Sequence, residues 1–218
     1  MFFICKNDII LASIYQLIFT EMEILGKLLG SAHRVKIMRL FLLNKDTTFE
    51  VKDIEKRSLV KPETIRKELR LLESVNFVRK KTSRYQYNFN FKYQKEFESL
   101  LISSDSLNTE NVPQVFKKIG KIKLLLVAGV FIKNEDSRVD LFIVGDRLKR
   151  NRIEEGIKKL EAEIGREIVY AVFDYKEFLY RLNMYDKLIR DVLDFPHKVL
   201  VQAKELSHTL ISSKKISL

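Results

Sequence analysis

The chain has 218 residues, 46% of them apolar, and its 40 Lys and Arg against 29 Asp and Glu give a formal net charge of +11. That length and apolar share allow one large core or two modest ones. The single cysteine, Cys5, excludes an internal disulfide framework and points to a reducing, cytoplasmic setting, and the three scattered histidines, His33, His197 and His208, have no zinc-ligand spacing.

Residues 9–19 form a strongly apolar run bounded by Lys6, Asp8, Glu21 and Glu23. The run falls short of the roughly 20 residues that span a bilayer. It also lacks the leading positive charge and small-residue cleavage site of a secretory signal. No membrane partner is expected. Two readings of residues 1–21 stand open: an amphipathic helix packed on a partner subunit, or a start-site artefact in which translation begins at Met22.

Residues 22–91 contain the main functional signal. From Phe49 to Asn90 the pattern is a short helix, a turn, a strongly basic helix and a basic two-stranded ribbon. The basic helix opens at Lys61-Pro62, where proline at the first helical position gives up an N–H that has no partner anyway. Ile65, Leu69 and Leu72 then recur at i, i+4 and i+7 and form one apolar stripe. Glu63, Arg66, Lys67 and Arg70 fall on the opposite side. The ribbon pairs Phe77–Thr82 with Tyr85–Asn90 through Ser83-Arg84, with basic residues toward its tip. Residues 22–91 hold 16 Lys and Arg against 8 Asp and Glu, so +8 of the net +11 lies there. A surface of this kind gathers nucleic-acid phosphates and releases their counterions.

Four runs of residues, Ser31–Leu43, Val51–Arg57, Val60–Leu69 and Leu72–Val78, together resemble prokaryotic winged helix-turn-helix regulators. The resemblance covers about a third of the chain. It implies a recognition helix lying in the major groove of double-stranded DNA and a wing beside it. On that reading Thr64, Arg66, Lys67 and Arg70 contact base edges and the groove, and Lys61, Lys80, Lys81 and Arg84 contact phosphates. The sequence departs from the pattern at Lys61, where such regulators often carry a capping serine or threonine. A lysine cannot accept from the helix N–H groups and is unfavourable beside the positive end of the helix. It fits better with a DNA phosphate nearby.

Beyond residue 91 the pattern changes. Lys92–Ser103 reads as a helix and Ser103–Pro113 as a polar linker. Strands follow at Ile122–Ala128 and Val139–Val144, then a helix over Arg152–Ile164 closed by Gly165. A third strand spans Glu167–Phe173, and helices cover Tyr175–Met184 and Tyr185–Leu193. The chain is therefore expected to be α+β, with domains at residues 22–91 and 114–205, a helix and linker at 92–113, and a polar tail at 206–218. The second domain should be α/β with a small mixed sheet.

Gly129-Val130 and Ser137-Arg138-Val139-Asp140-Leu141 resemble the core of the minimal nucleotidyltransferase fold. In that family a glycine-serine turn contacts nucleotide phosphate. Two carboxylates at i and i+2 of the next strand share a face and hold two metals about 4 Å apart. Here Val130 stands in the serine position and Arg138 in that of the first carboxylate, leaving Asp140 alone. A fixed positive charge at Arg138 repels a divalent cation, and the simplest role for Asp140 is to pair with it. No metal, cofactor or catalytic residue is expected. Arg138, Lys133 and Arg147 form a cluster that, with Gly129 and Asp140, would suit a phosphate or a nucleotide effector.

Together these readings describe a DNA-binding transcriptional regulator whose degenerate nucleotidyltransferase-like domain serves dimerisation or sensing. A homodimer is expected from the aromatic run Phe173–Tyr185 and the apolar N-terminal segment. The rival is an active metal-dependent nucleotidyltransferase with a DNA-binding domain, antitoxin-like, using Asp140 with Asp146 or Asp174. A third reading, an RNA-binding adaptor, lacks an exposed aromatic platform for stacking bases.

Overall fold

A computed structural model of the chain describes residues 20–102, 109–132, 134 and 136–206. The apolar run at 9–19, Lys133 and the tail from 207 lie outside the described residues. The chain divides into two compact units. The first takes the described residues up to 102 with Glu161–Arg166. The second takes Thr109–Leu160 and the described residues from Glu167 onward. The fold is mixed α+β, as the sequence implies.

In the first unit, α1 (Thr20–Leu28), α2 (Ala32–Leu43), α3 (Val51–Ser58) and α4 (Pro62–Ser74) precede a hairpin of β1 (Val78–Lys81) and β2 (Arg84–Tyr87), followed by α5 (Gln94–Ile102). Local chemistry sets the helix starts. The Ser31 side chain accepts from the Arg34 N–H at 3.2 Å and caps α2. Glu50 and Asp53 form a reciprocal capping box on α3. Leu59 ends α3 in the left-handed region at φ 54°. Phe49 exchanges two 2.8 Å backbone hydrogen bonds with Tyr85, adding a short third strand to the hairpin. Phe41, Phe49, Ile54, Ile65, Leu69, Leu72, Phe77 and Tyr87 fill the core. Phe77 packs edge-on against both Tyr87 and Phe91.

The hairpin is shorter than its sequence pattern. Its turn is Thr82-Ser83, with Thr82 at φ 59°, so Arg84 lies in β2 opposite Lys81 rather than in the turn.

The second unit holds α6 (Val112–Val115), β3 (Lys121–Val127), β4 (Leu141–Asp146), α7 (Arg150–Ile164, whose last turn falls among Glu161–Arg166), β5 (Tyr170–Asp174), α8 (Tyr175–Asn183), α9 (Lys187–Asp194) and β6 (Lys198–Gln202). The sheet order is β5-β4-β3-β6, with β4–β5 parallel and the other two pairings antiparallel. This is the small mixed sheet that the pattern predicts. β3 is buried from Lys123 to Val127, as expected for a strand covered on both faces. Leu124, Leu126, Phe142 and Val144 pack with Phe173, Phe178, Ile189 and Val192.

Several boundaries differ from the sequence reading. Pro113 lies inside α6, not in a linker, because proline is tolerated in a first helical turn. β4 begins at Leu141, so Arg138 and Asp140 precede the strand. β6, which completes the sheet beside β3, has no counterpart among the expected strands.

Candidate nucleic-acid interface

α4 separates its charges from its core face cleanly. Ile65, Glu68, Leu69 and Leu72 are buried, whereas Lys61, Arg66, Lys67 and Arg70 are exposed and Thr64 is half-buried. Lys61 occupies the N-cap with no side-chain cap bond, and Pro62 follows at the first position. Arg70 Nε donates back to the Arg66 carbonyl at 3.3 Å. No salt bridge among the described residues engages Lys61, Arg66 or Lys67.

Glu68 is the exception on this helix. Its carboxylate points inward and meets Arg34 Nε of α2 at 2.7 Å, with side-chain exposures of 6% for Glu68 and 21% for Arg34. Arg34 also donates to the Leu29 carbonyl. The pair therefore fixes α4 on α2 by charge as well as by apolar packing.

The chain passes from α4 to the hairpin through Val75, Asn76 and Phe77. The Phe77 N–H donates to the Leu72 carbonyl at 2.8 Å, and Asn76 adopts φ 59°. Val78, Tyr85 and Tyr87 are buried, and Arg79, Lys80, Lys81 and Arg84 are exposed. Arg79 donates to Gln86 Oε1 at 3.0 Å, and Lys80 Nζ lies 5.5 Å from the centre of the Tyr85 ring. Lys81 and Arg84 are direct cross-strand partners. Like charges so placed repel. Arg84 is partly compensated by Glu50 at 3.2 Å, whereas Lys81 has no such partner among the described residues. All eight residues assigned to nucleic-acid contact lie on α4, its N-cap or the hairpin that follows. Arg79 joins them as an exposed cation that the sequence reading did not single out.

Beneath the hairpin, the Tyr87 hydroxyl is buried with no hydrogen-bond partner among the described residues. Burial, with a smaller contribution from Glu98, pushes its pKa up to about 12. Lys45 pairs with Glu98 and lies 5.9 Å from the centre of the Tyr87 ring.

The residues assigned to phosphate or nucleotide binding behave differently. Gly129 is buried in a 3-10 turn at φ 51°. A β-carbon there would collide with the Asp140 carboxylate. Asp140 accepts from the Val130 N–H through Oδ1 and from the Val169 N–H through Oδ2, both at 2.8 Å. It does not pair with Arg138, as the sequence reading expects. Arg138 instead bonds Asp191 of α9. Both oxygens of Asp140 are engaged in joining the turn after β3 to the segment before β5, which is a structural task.

The carboxylate partners proposed for Asp140 are also misplaced. Asp146 ends β4, and Asp174 shares that end because it pairs with Gly145 in parallel register. Asp140 lies at the opposite end, about 20 Å away at roughly 3.3 Å per strand residue. Two-metal chemistry needs its ligands within a few ångströms of one another, so these residues cannot form one metal site. Arg147 follows Asp146 and is therefore also remote from Arg138; the two do not cluster. Among the described residues no group of three His, Cys, Asp or Glu side chains is placed to hold a metal ion.

Within the described residues no helix is long and apolar enough to cross a membrane. Comparison with known proteins gives no match: no family model, no curated protein and no solved structure matches the chain.

Proposed function

We propose that this chain is a sequence-preferring, double-stranded-DNA-binding transcriptional regulator, with its first unit a winged helix-turn-helix. In this reading α4 is the recognition helix, and β1–β2 is the wing. The observation that carries it is the division of α4: Ile65, Leu69 and Leu72 are buried while Arg66, Lys67 and Arg70 project into solvent. A helix anchored on one face with arginines on the other meets the steric and hydrogen-bonding needs of major-groove reading. The exposed cations of the adjoining hairpin supply phosphate contacts that position without specifying.

The second unit is read as a nucleotidyltransferase-like domain that does not transfer nucleotides and serves dimerisation or effector sensing. The anchoring of Asp140 by two backbone N–H groups supports its loss of a metal role. A homodimer fits the exposed Tyr180, Met184 and Tyr185 at the end of α8.

Selection of bound sites from randomised duplex DNA tests the regulator reading directly. Enrichment of a defined motif supports it. Recovery of unenriched DNA, or of none, refutes sequence-preferring recognition.

A further inference from the structure

A second concentration of positive charge lies wholly within the second unit. Lys117, Lys118 and Lys121 lead into β3, and Arg147, Lys149, Arg150 and Arg152 lead from β4 into α7. All seven are exposed. The fold joins the two segments. Lys121 pairs with Asp146 across β3 and β4, and the Lys149 N–H donates to the Ile119 carbonyl at 2.6 Å. Gly120, at φ +144°, approaches so closely that a β-carbon would stand 2.7 Å from the Arg147 carbonyl oxygen. Only glycine allows this approach.

Residues 117–121 and 146–152 hold these seven cations and one acid, Asp146, and Glu154 and Glu155 follow on α7. Arg152 is paired with Glu155 at 2.9 Å, and Lys121 lies in the field of Glu205. Lys117, Lys118, Arg147, Lys149 and Arg150 have no acidic partner among the described residues. Five cations so confined repel one another and gain from a polyanion.

We propose that this patch is a second phosphate-contacting surface, which holds the backbone of duplex DNA by charge without reading bases. The two segments contain no aromatic residue on which a splayed base could stack, which separates the patch from a single-strand platform. Their apolar members, Ile119 and Leu148, are buried and half-buried, so nothing projects to enter a lipid surface. The inference rests on the DNA-binding reading and adds a second contact to it.

The test uses the full chain and a labelled duplex carrying the selected site, titrated by fluorescence anisotropy at several salt concentrations. The variant Lys117→Gln/Lys118→Gln/Arg147→Gln/Lys149→Gln should bind specific and random duplexes about tenfold more weakly or worse at low salt. The slope of log affinity against log salt should fall by about 3 to 4. Lys117→Arg/Lys118→Arg should retain wild-type binding, and matching circular dichroism melts establish that each variant is folded. A separate variant, Arg66→Ala/Lys67→Ala, should lose sequence preference yet keep salt-dependent binding, and adding the four glutamine substitutions to it should weaken that remaining binding further. Wild-type DNA binding with an unchanged slope in the quadruple variant overturns the second surface and leaves the regulator reading intact. No duplex binding by the unaltered chain overturns both. Loss of binding to phosphatidylserine vesicles, with DNA binding unaffected, reassigns the patch to lipid headgroups and also overturns the proposal.

Discussion

Arg34 of α2 and Glu68 of α4 form a 2.7 Å ion pair on the side of the basic helix that faces the core. Removing either partner leaves a charge poorly solvated. We expect Arg34→Met or Glu68→Leu to destabilise the first unit by about 3 kcal/mol, and the double variant to recover much of that loss. Urea denaturation of the four proteins closes the double-mutant cycle. Additive losses would show that the pair does not couple.

Arg66→Ala and Arg70→Ala should each cost on the order of 1–3 kcal/mol on the preferred duplex if they contact base edges. Lys80→Ala and Lys81→Ala should weaken all duplexes alike and lower the salt slope. Equal losses on specific and random DNA for all four variants would remove α4 from sequence reading.

Tyr87 predicts a defect on the alkaline side. A phenol whose folded pKa is raised from 10.0 to about 12 resists ionisation in the folded state, so stability falls as pH rises through that window. Tyr87→Phe also deletes a buried hydroxyl that lacks a partner among the described residues. The variant should gain on the order of 1 kcal/mol at neutral pH, and its advantage should widen between pH 10 and 12. Thermal melts across that range check both statements, and a variant less stable than the parent at pH 11 contradicts them.

Asp140→Ala should destabilise the second unit by about 2 kcal/mol, because it breaks charge-assisted bonds from the Val130 and Val169 N–H groups. Gly129→Ala should cost at least about as much, since it combines a positive φ with a collision at Asp140. Neither should alter a nucleotidyl-transfer activity, because none is expected. The unaltered chain, incubated with labelled nucleoside triphosphates and magnesium or manganese, should label no acceptor. Transfer abolished by Asp140→Ala in a variant that remains folded would restore the enzyme reading.

Sedimentation at micromolar concentration should give a homodimer. Replacing the exposed Tyr180 and Met184 with Glu should shift it toward the monomer. A single species at the chain mass for the unaltered protein would exclude the dimer.

The legible parts of this chain are those whose signals are local. Pro62 and the spacing of Ile65, Leu69 and Leu72 locate α4, and Gly165 at φ +87° marks the close of α7. The illegible parts depend on partners distant in sequence. Arg138 finds Asp191, and Glu68 finds Arg34, with no motif to announce either pairing. Within a basic helix Glu68 looks like one more surface charge. β6 carries no such signal, because its five residues, Lys198–Gln202, are only partly covered and have little periodicity of their own. The strand expected over Val139–Val144 pairs regularly only from Leu141, because Val139 and Asp140 belong to the segment that leads into it.

The position of β6 has a consequence for handling the protein. It is the outer neighbour of β3, covering the backbone edge of Leu124–Val127. A truncation or proteolytic cut ahead of Lys198 would turn an interior apolar strand into an exposed edge, open to pairing with other chains. Fragments ending there should aggregate, whereas those that retain Lys198–Gln202 keep that edge covered.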